Sequence, residues 1–259
     1  MDHDILLHNH DPRGVHTLEL NHPRAFNVLS EAMLAALQRG IDAVAADPGA
    51  RALVIGAEGK AFCAGHDLKE MRARPDEAYY RDLFARCTRL MMSLRALDVP
   101  VIARVQGLAT AAGCQLVAQC DLAVAADGAT FGVNGIDVGL FCSTPAVALS
   151  RNIAVKPALE MLFTGDFIDA AEAQRRGLVN RVVPAEELEA EVERLIGKLL
   201  ARPREALAIG KQLFYRQLET GIASAYQLAG QTMACNLARP VAQEGVQAFI
   251  EKRPPAWRG

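Results

Sequence analysis

Two turns of small residues constrain the fold of this chain more than any other feature. They read Phe62-Cys63-Ala64-Gly65-His66-Asp67-Leu68 and Ala111-Ala112-Gly113-Cys114-Gln115-Leu116. Each follows a short apolar run, at residues 52–55 and 101–105, with the character of a strand covered on both faces. Each also opens a helical pattern, where small residues and unpaired N–H groups let a ligand approach the backbone. The turns therefore predict buried strands followed by helices, with backbone donors directed at one point.

Strand and helix patterns alternate over most of the chain. The predicted strands are 5–7, 15–20, 52–55, 101–105 and 122–126, and the predicted helices are 30–47, 79–97 and one from residue 111. The first two strands flank an Asp-Pro-Arg-Gly turn and predict an antiparallel hairpin. The later strand–helix units imply parallel pairing with right-handed crossovers. The fold class is therefore α/β.

From residue 185 onward only helical patterns remain. Three amphipathic stripes follow one another, and Pro203 and Pro240 mark helix starts or breaks. Such helices can close the core, or they can leave apolar faces for a partner subunit. We divide the chain into an α/β core at residues 1–195 and a helical region at residues 196–259.

Composition limits the classes of partner. The chain has 259 residues, of which 51% are hydrophobic, and a net charge of −2. A charge of this size does not indicate a basic surface for nucleic acid or an acidic membrane. No apolar run is long enough to span a membrane. We expect neither partner. Six scattered cysteines without a CxxC pair, and the lack of a signal-like apolar block, predict a reduced cytoplasmic setting.

Five of the six histidines lie near the N-terminus. They are His3, His8, His10, His16 and His22. His8 and His10 flank the predicted hairpin turn, and no cysteine or helix-spaced ligand accompanies the group. We interpret these histidines as solvated strand and turn residues and expect no metal.

A series of short motifs continues the pattern of the two turns across nearly the whole chain. It opens with Asn21-His22-Pro23-Arg24-Ala25-Phe26-Asn27 and continues at residues 62–71, 107–121, 161–165, 170–173, 177–180 and 244–253. In order and spacing these motifs resemble the crotonase superfamily, also called the enoyl-CoA hydratase/isomerase family. The resemblance implies a spiral of ββα units with a C-terminal helical trimerisation region, assembled as a homotrimer or a dimer of trimers. It also implies a lyase of fatty acid metabolism whose substrate is an acyl-CoA and which needs no separate cofactor.

The resemblance assigns binding roles to individual residues. The backbone N–H groups of His66 and Ala112 are expected to form an oxyanion hole for the thioester. The residues expected to bind coenzyme A are Arg24, Phe26, Ala64, His66, Asp67, Leu68, Phe249 and Lys252. Backbone groups of residues 64–68 would hold adenine and pantetheine, and Phe249 would lie beside the adenine. Arg24 and Lys252 would lie near the phosphates, Lys252 as a candidate contribution from a neighbouring subunit.

Three of these residues have ordinary structural interpretations when the resemblance is set aside. Arg24 and Lys252 also fit solvated surface charges. Phe249 also fits an apolar core stripe with Val246 and Ile250.

The chain lacks carboxyl groups that the hydration reaction would use. Adding water to a conjugated double bond suits a pair of carboxyl groups in a dry site. Where the family's hydratases carry two glutamates, this chain has Gln115 and Gly135. A neutral amide is not a general base, so hydration is expected to be weak or absent. Asp137 is the one candidate substitute base, because a strand would keep it on the same side as Gly135. Its alternative role is in a turn or helix cap.

His66 and the segment 142–144 are further candidates. An A-G-H-D turn like that around His66 occurs in methylmalonyl-CoA decarboxylases, whose reaction needs enolate-stabilising amides more than a base. The alternative is that His66 only shapes the site. Cys142, Ser143 and Thr144 lie near the place of a nucleophilic aspartate in a dehalogenase relative. For them we expect a helix start capped by Ser143 or Thr144.

The expected function is therefore recognition of an acyl-CoA thioester, with His66, Ala112, Gln115 and Asp137 as candidate catalytic residues. A base-independent decarboxylase or thioesterase is one alternative. A non-catalytic acyl-CoA-binding protein is the other.

Overall fold

The computed structural model describes residues 4–258. Its strands are β1 (Leu6–His10), β2 (Val15–Leu20), β3 (Ala52–Ala57), β4 (Ala61–Cys63), β5 (Val101–Val105), β6 (Leu108–Thr110), β7 (Leu122–Ala126), β8 (Thr130–Gly132), β9 (Ile168–Asp169) and β10 (Arg181–Val183). Its α-helices are α1 (Glu31–Ala46), α2 (Leu68–Ala73), α3 (Glu77–Ala96), α4 (Ala112–Gln119), α5 (Ser143–Leu149), α6 (Val155–Thr164), α7 (Ala170–Arg176), α8 (Leu188–Leu200), α9 (Arg204–Leu218), α10 (Ile222–Leu237) and α11 (Pro240–Ile250). Short 3₁₀ helices cover Pro23–Ala25, Asn134–Val138, Ala185–Glu187 and Ala256–Arg258.

The strands form a large and a small sheet. The large sheet has the order β1-β2-β3-β5-β7-β10, and the small sheet has the order β4-β6-β8-β9. The hairpin β1–β2 is antiparallel, while β2, β3, β5, β7 and β10 pair in parallel. A strand of the large sheet is followed by a strand of the small sheet and then a helix, as in β3–β4–α2 and β5–β6–α4. This repeat confirms the predicted α/β spiral of ββα units.

The core helices form where the sequence pattern predicts them. Ser30 caps α1, since its side chain accepts a hydrogen bond from the Met33 N–H at 3.1 Å. The apolar stripes of α1 and α3 are buried, as their 3.6-residue period predicts. Every residue of β3 is buried, because helices cover both faces of the parallel sheet. The small sheet, whose strands have two or three residues, was not predicted.

The C-terminal helices lie outside the main core. Helix α8 packs its apolar side on the large sheet, and it runs across residue 195, where we divided the chain. That division stays a prediction. Within α9 and α10 no residue is buried. Large apolar side chains are exposed there instead: Phe214, Leu218, Ile222, Tyr226, Met233 and Leu237. None of the helices in residues 4–258 is long and apolar enough to cross a membrane.

The N-terminal histidines correct one expectation. His16 is 5% exposed, and its ring bonds to His8 at 3.0 Å and to Asp47 at 2.9 Å, so it is a buried strand residue and not a solvated one. The reason is that β2 is an inner strand, paired with both β1 and β3. His3 lies outside the described residues. Residues 4–258 contain no cluster of three or more His, Cys, Asp or Glu that could hold a metal.

Candidate active site

A cavity of about 390 Å³ opens between the two glycine-containing turns. Most of the residues that line the cavity are apolar, and a few are polar. The lining residues are Ala64, His66, Leu68, Met71, Phe84, Thr110, Ala111, Ala112, Asn134, Gly135, Val138, Leu140, Phe141, Cys142, Ser143, Thr144 and Pro145. Among these described residues there is no Asp, Glu, Lys or Arg. Such a site suits an apolar ligand with one or two polar groups.

The first turn is held by the loop at residues 22–29. The Ala64 N–H donates to the Phe26 carbonyl at 3.0 Å, and the Leu29 N–H donates to the Gly65 carbonyl at 2.7 Å. Gly65 has φ +85°, which an L side chain rarely adopts. The turn thereby presents Ala64 and His66 to the cavity.

Asn27 ties this loop to the rest of the site. It is fully buried; its side-chain oxygen accepts from the His22 N–H at 2.7 Å, and its side-chain nitrogen donates to the Glu58 and Ala61 carbonyls at 2.9 and 2.8 Å. Sequence reasoning quoted Asn27 within a motif but gave it no role. A buried amide that bonds backbone groups from two distant segments is a structural anchor.

The second turn is strained. Ala111 has φ +50° and ψ −120°, a conformation typical of glycine, which costs on the order of 1–3 kcal/mol for other residues. A Cβ added to Gly65 would lie 2.9 Å from the Ala111 Cβ and 3.2 Å from the Ala112 nitrogen. The two turns are therefore in direct contact. Ala112 is the first residue of α4, at a cavity wall.

The N–H groups of His66 and Ala112 have no acceptor within the part of the chain that is described. Ala112 begins a helix, where N–H groups have no intrahelical partner. His66 and Leu29 form an isolated parallel β-bridge. In this bridge Gly65 and Asp67, the residues on either side of His66, face Leu29, so the His66 N–H points away from it. Both groups are therefore available to a ligand.

The His66 side chain faces the same cavity. Both ring nitrogens are buried; neither makes a well-aligned hydrogen bond among the described residues, although the Leu29 backbone interacts with the ring. The ring packs edge-on against Phe84, with 5.4 Å between ring centroids. Burial lowers the pKa of His66, so the neutral imidazole is favoured.

Gln115 lies one helical turn beyond Ala111 and Ala112. It is 6% exposed, and its side-chain oxygen Oε1 has no partner. Residues three and four apart share one face of a helix, and side chains lean toward its N-terminus. Gln115 is therefore on the same face of α4 as Ala112, but it is not among the residues that line the cavity.

Gly135 has no room for a side chain. The segment after it folds back, so that the Leu140 N–H donates to the Gly135 carbonyl at 2.9 Å and the Gly135 N–H donates to Cys142 Sγ at 3.3 Å. A Cβ at Gly135 would overlap the Leu140 carbonyl oxygen and come within 2.8 Å of Cys142 Sγ. A side chain at position 135 would therefore meet backbone and sulfur.

The geometry assumed for Asp137 is wrong. Residues Asn134–Val138 form a 3₁₀ helix and not a strand, so a two-residue offset does not keep side chains on one side. Asp137 is exposed, does not line the cavity, and accepts a 3.4 Å hydrogen bond from the Asn134 side chain. This arrangement leaves it outside the cavity.

Residues 142–144 start a helix as predicted, but not with the predicted cap. Helix α5 begins at Ser143 with Cys142 at the N-cap position and no side-chain capping bond. All three side chains line the cavity instead. Burial raises the pKa of Cys142, which therefore favours the thiol over the thiolate.

Some of the other predicted binding residues lie at or near the cavity, and the rest do not line it. Leu68 lines the cavity, and Asp67 caps α2 by accepting from the Lys69 and Glu70 N–H groups at 2.8 and 3.3 Å. Arg24 and Phe26 are exposed and lie on the loop that holds the first turn. Phe249 is 85% exposed, so it is not part of a core stripe. Neither it nor Lys252 lines the cavity of its own chain.

The fold and cavity define a crotonase-type protein, and comparison with known proteins agrees. A model of the family described as enoyl-CoA hydratase/isomerase matches residues 10–259, and the chain belongs to this family. The mouse and human proteins named enoyl-CoA hydratase domain-containing protein 3, mitochondrial, are 49% and 47% identical over 244 residues. That span is 94% of this chain and 81% and 80% of theirs.

Solved structures show the same fold. An enoyl-CoA hydratase from Mycobacterium smegmatis is 60% identical, with a TM-score of 0.97 over 99% of this chain and 100% of that one. Human enoyl-CoA hydratase domain-containing protein 3 is 45% identical, with a TM-score of 0.94 over 98% and 100%.

The names of these relatives contradict the expected cytoplasmic setting. The proteins from mouse, rat, frog and human are all named mitochondrial. The expectation rested on unpaired cysteines and on the lack of a secretory signal pattern. Neither feature distinguishes the cytoplasm from another reducing compartment.

Proposed function

We propose that this chain binds acyl-CoA thioesters, with the N–H groups of His66 and Ala112 bonding the thioester oxygen. The observation that carries the proposal is that these two donors, both without a partner in the described chain, lie on touching turns at one cavity. Preorganised donors of this kind stabilise negative charge that develops on a carbonyl oxygen. The family membership supports the same ligand class.

Coenzyme A would extend from the cavity across the first turn. Backbone groups of residues 64–68 would hold adenine and pantetheine, and Arg24 and Phe26 lie on the loop bonded to that turn. Phe249 and Lys252 would contact the nucleotide of a neighbouring copy, because neither lines the cavity of its own chain. This role requires the homotrimer, or dimer of trimers, that we also propose.

Ordinary enoyl-CoA hydration would be weak or absent at this site. No carboxylate is found among the described residues that line the cavity. Gln115 is a neutral amide that cannot act as a general base, and Gly135 is covered by the segment 140–142. General acid–base groups contribute about 10²–10⁴-fold to the rate of proton transfer. Their loss leaves binding intact and removes the hydration step.

Hydration of crotonyl-CoA by the purified chain tests this proposal. We expect a rate far below that of an ordinary hydratase, together with measurable binding of the thioester. The variant Gln115→Glu restores one carboxylate and is expected to raise the rate. Gly135→Glu is expected not to raise it, because its Cβ overlaps the Leu140 carbonyl oxygen. Rapid hydration by the unchanged chain would contradict the proposal, and failure to bind any acyl-CoA would contradict the assigned ligand.

A second candidate is a reaction that needs the oxyanion donors but not the glutamates. Decarboxylation passes through an enolate and thioester hydrolysis through a tetrahedral oxyanion, and both place charge on the oxygen that the two N–H groups would bond. The available N–H groups of His66 and Ala112 favour this candidate. Product analysis after incubation with enoyl-, malonyl- and methylmalonyl-CoA separates it from a non-catalytic binder, which would bind tightly and release no product.

A further inference from the structure

A second cavity, of about 320 Å³, lies where the end of α8 meets the start of α9. Arg51, Arg202 and Arg204 line it together with Glu205 and Trp257, and the rest of its lining is apolar. We call it the arginine cavity. Its volume is in the range of small-molecule sites, and the proposed function does not use it.

Backbone carbonyls fix two of the three arginines. Arg51 Nη2 donates to the Leu200 and Arg202 carbonyls at 3.0 and 2.9 Å, and Arg204 Nε donates to the Ala50 carbonyl at 2.8 Å. These acceptors are neutral, so they hold the guanidinium groups in place without neutralising their charge. A guanidinium has five N–H donors, and both side chains therefore keep donors for a ligand.

The positive charge of the arginine cavity is not balanced by its carboxylate. Glu205 is the one acidic residue in the lining that the structure describes, and it pairs with Arg239. Within residues 4–258, Arg51, Arg202 and Arg204 form no ion pair with a carboxylate. Like charges held close together repel, and a bound anion relieves that repulsion. Guanidinium groups bond phosphate oxygens in pairs, so the cluster predicts a phosphate group.

Trp257 gives the arginine cavity an aromatic wall. A Cβ added to Gly245 would lie 2.8 Å from Trp257 Cη2, so the indole is seated against the backbone of α11. Leu200 and Val241 also line the cavity. A planar ring can stack on an indole, whatever its pattern of hydrogen-bonding groups. Guanidinium groups and an indole around one cavity match a phosphate and a base on one ligand.

The arginine cavity is separate from the candidate active site. Arg51 immediately precedes β3, whereas the loop that holds the first turn bonds the Glu58 carbonyl just after β3, through Asn27. The two cavities therefore lie toward opposite ends of this strand. Among the described residues, none lines both.

We propose that the arginine cavity binds a nucleotide, with its phosphates on Arg51, Arg202 and Arg204 and its base stacked on Trp257. This site is additional to the acyl-CoA site, and the proposal does not depend on the proposed function.

Fluorescence titration of the full chain with ADP tests the proposal directly, because Trp257 is the one tryptophan of the sequence. We expect a saturable change in its emission as ADP binds. Inorganic phosphate is expected to bind more weakly, since it lacks a ring, and to compete with ADP. Butyryl-CoA carries an ADP portion of its own, so the titration is repeated with butyryl-CoA at saturation. ADP affinity is expected to stay the same.

Two arginine variants and a control assign the binding to its residues. Arg202→Gln and Arg204→Gln are each expected to weaken ADP about tenfold or more, because a charge-assisted contact to phosphate is lost. The Arg202 side chain donates no hydrogen bond within the described part of the chain, so its replacement leaves the fold intact. Arg89→Gln is the matched control, since Arg89 is an exposed arginine on α3, outside the lining. It is expected to leave ADP affinity unchanged.

Trp257→Leu tests the aromatic wall, with calorimetry in place of fluorescence. We expect ADP to bind several-fold more weakly and inorganic phosphate to bind as before.

The outcomes also distinguish this proposal from the proposed function. No saturable binding of ADP, or equal ADP affinity in Arg202→Gln, Arg204→Gln and the unchanged chain, would overturn the nucleotide site. Loss of ADP binding in the presence of butyryl-CoA would overturn it as well, because both ligands would then share one site. Inorganic phosphate binding as tightly as ADP would refute the role of Trp257. Failure to bind butyryl-CoA would contradict only the proposed function.

Discussion

Two helical glycines differ in whether the surrounding structure leaves room for a side chain. Gly113, in α4, faces the end of β4, and a Cβ there would overlap the Cys63 carbonyl oxygen. We expect Gly113→Ala to lower the free energy of unfolding by on the order of 3 kcal/mol or more, because helix and strand must separate. Denaturant titration measures the effect.

Gly197→Ala is the control for that substitution. Gly197 lies in α8 with no atom within 4 Å of an added Cβ. There the better helix propensity of alanine is expected to stabilise the chain by about 0.5–1 kcal/mol. Similar effects at Gly113 and Gly197 would show that close packing of α4 on β4 is not what requires glycine at position 113.

The buried ring of His66 makes stability depend on pH. Burial lowers its pKa in the folded chain, while the unfolded chain takes up a proton near pH 6.5. The unfolded state therefore binds more protons as the pH falls below about 6.5, and stability decreases. Between about pH 7.5 and pH 5.5 the unchanged chain is expected to lose more stability than His66→Phe. An equal loss in urea titrations of both proteins would contradict this assignment.

Helix α9 is attached to the core by an ion pair whose side chains are largely covered, 8% exposed for Lys211 and 16% for Asp121. Lys211 donates to the Leu94 and Val99 carbonyls at 2.9 and 3.0 Å and pairs with Asp121 at 2.7 Å. Asp121 also accepts from the Tyr215 hydroxyl at 2.6 Å. The whole arrangement links α9 to the start of β7.

Lys211→Met is expected to destabilise the chain by about 3–5 kcal/mol, because it leaves the Asp121 carboxylate and two carbonyls without the ammonium. Tyr215→Phe removes one hydrogen bond to the carboxylate and is expected to cost about 1.5–3 kcal/mol. Denaturant unfolding measures both. A Lys211→Met variant as stable as the unchanged chain would show that α9 is held by other contacts.

The elements differ in how far the sequence predicts them. The sequence predicts the core helices and strands to within a few residues. An element that is buried on one face or on both has apolar residues at regular intervals or in a continuous run, and this pattern can be seen in the sequence. The strands of the small sheet are too short to show a period. The pattern at residues 134–138 predicts a strand, whereas the segment is a 3₁₀ helix, and Asp137 therefore does not line the cavity.

The sequence also predicts some parts of the candidate site and not others. The turns around His66 and Ala112 were predicted, because small residues between a strand and a helix leave a local pattern. The packing of Leu140 and Cys142 over Gly135 was not, since it depends on a tertiary contact that no local pattern encodes. The strain at Ala111 was also missed, because alanine gives no sign of a positive φ.

At the scale of the whole molecule, the exposed faces of α9 and α10 predict self-association. Ile222, Tyr226 and Met233 are each about three quarters exposed and lie on one side of α10. We expect the chain to sediment at three or six times its mass of 27.9 kDa. The pair Tyr226→Glu and Met233→Glu is expected to shift it to smaller species. Sedimentation as a single chain before substitution would contradict the proposed trimer.

Asn27 has a consequence for the order of folding. Its side-chain nitrogen bonds carbonyls 31 and 34 residues further along the chain. The Asn27 hydrogen bonds can form only after β4 has been synthesised, and we expect the loop at residues 22–29 and the first turn of the site to acquire their final structure together. During synthesis the N-terminal segment would therefore remain sensitive to proteases until at least residue 61 has left the ribosome, although most of its own residues emerge much earlier.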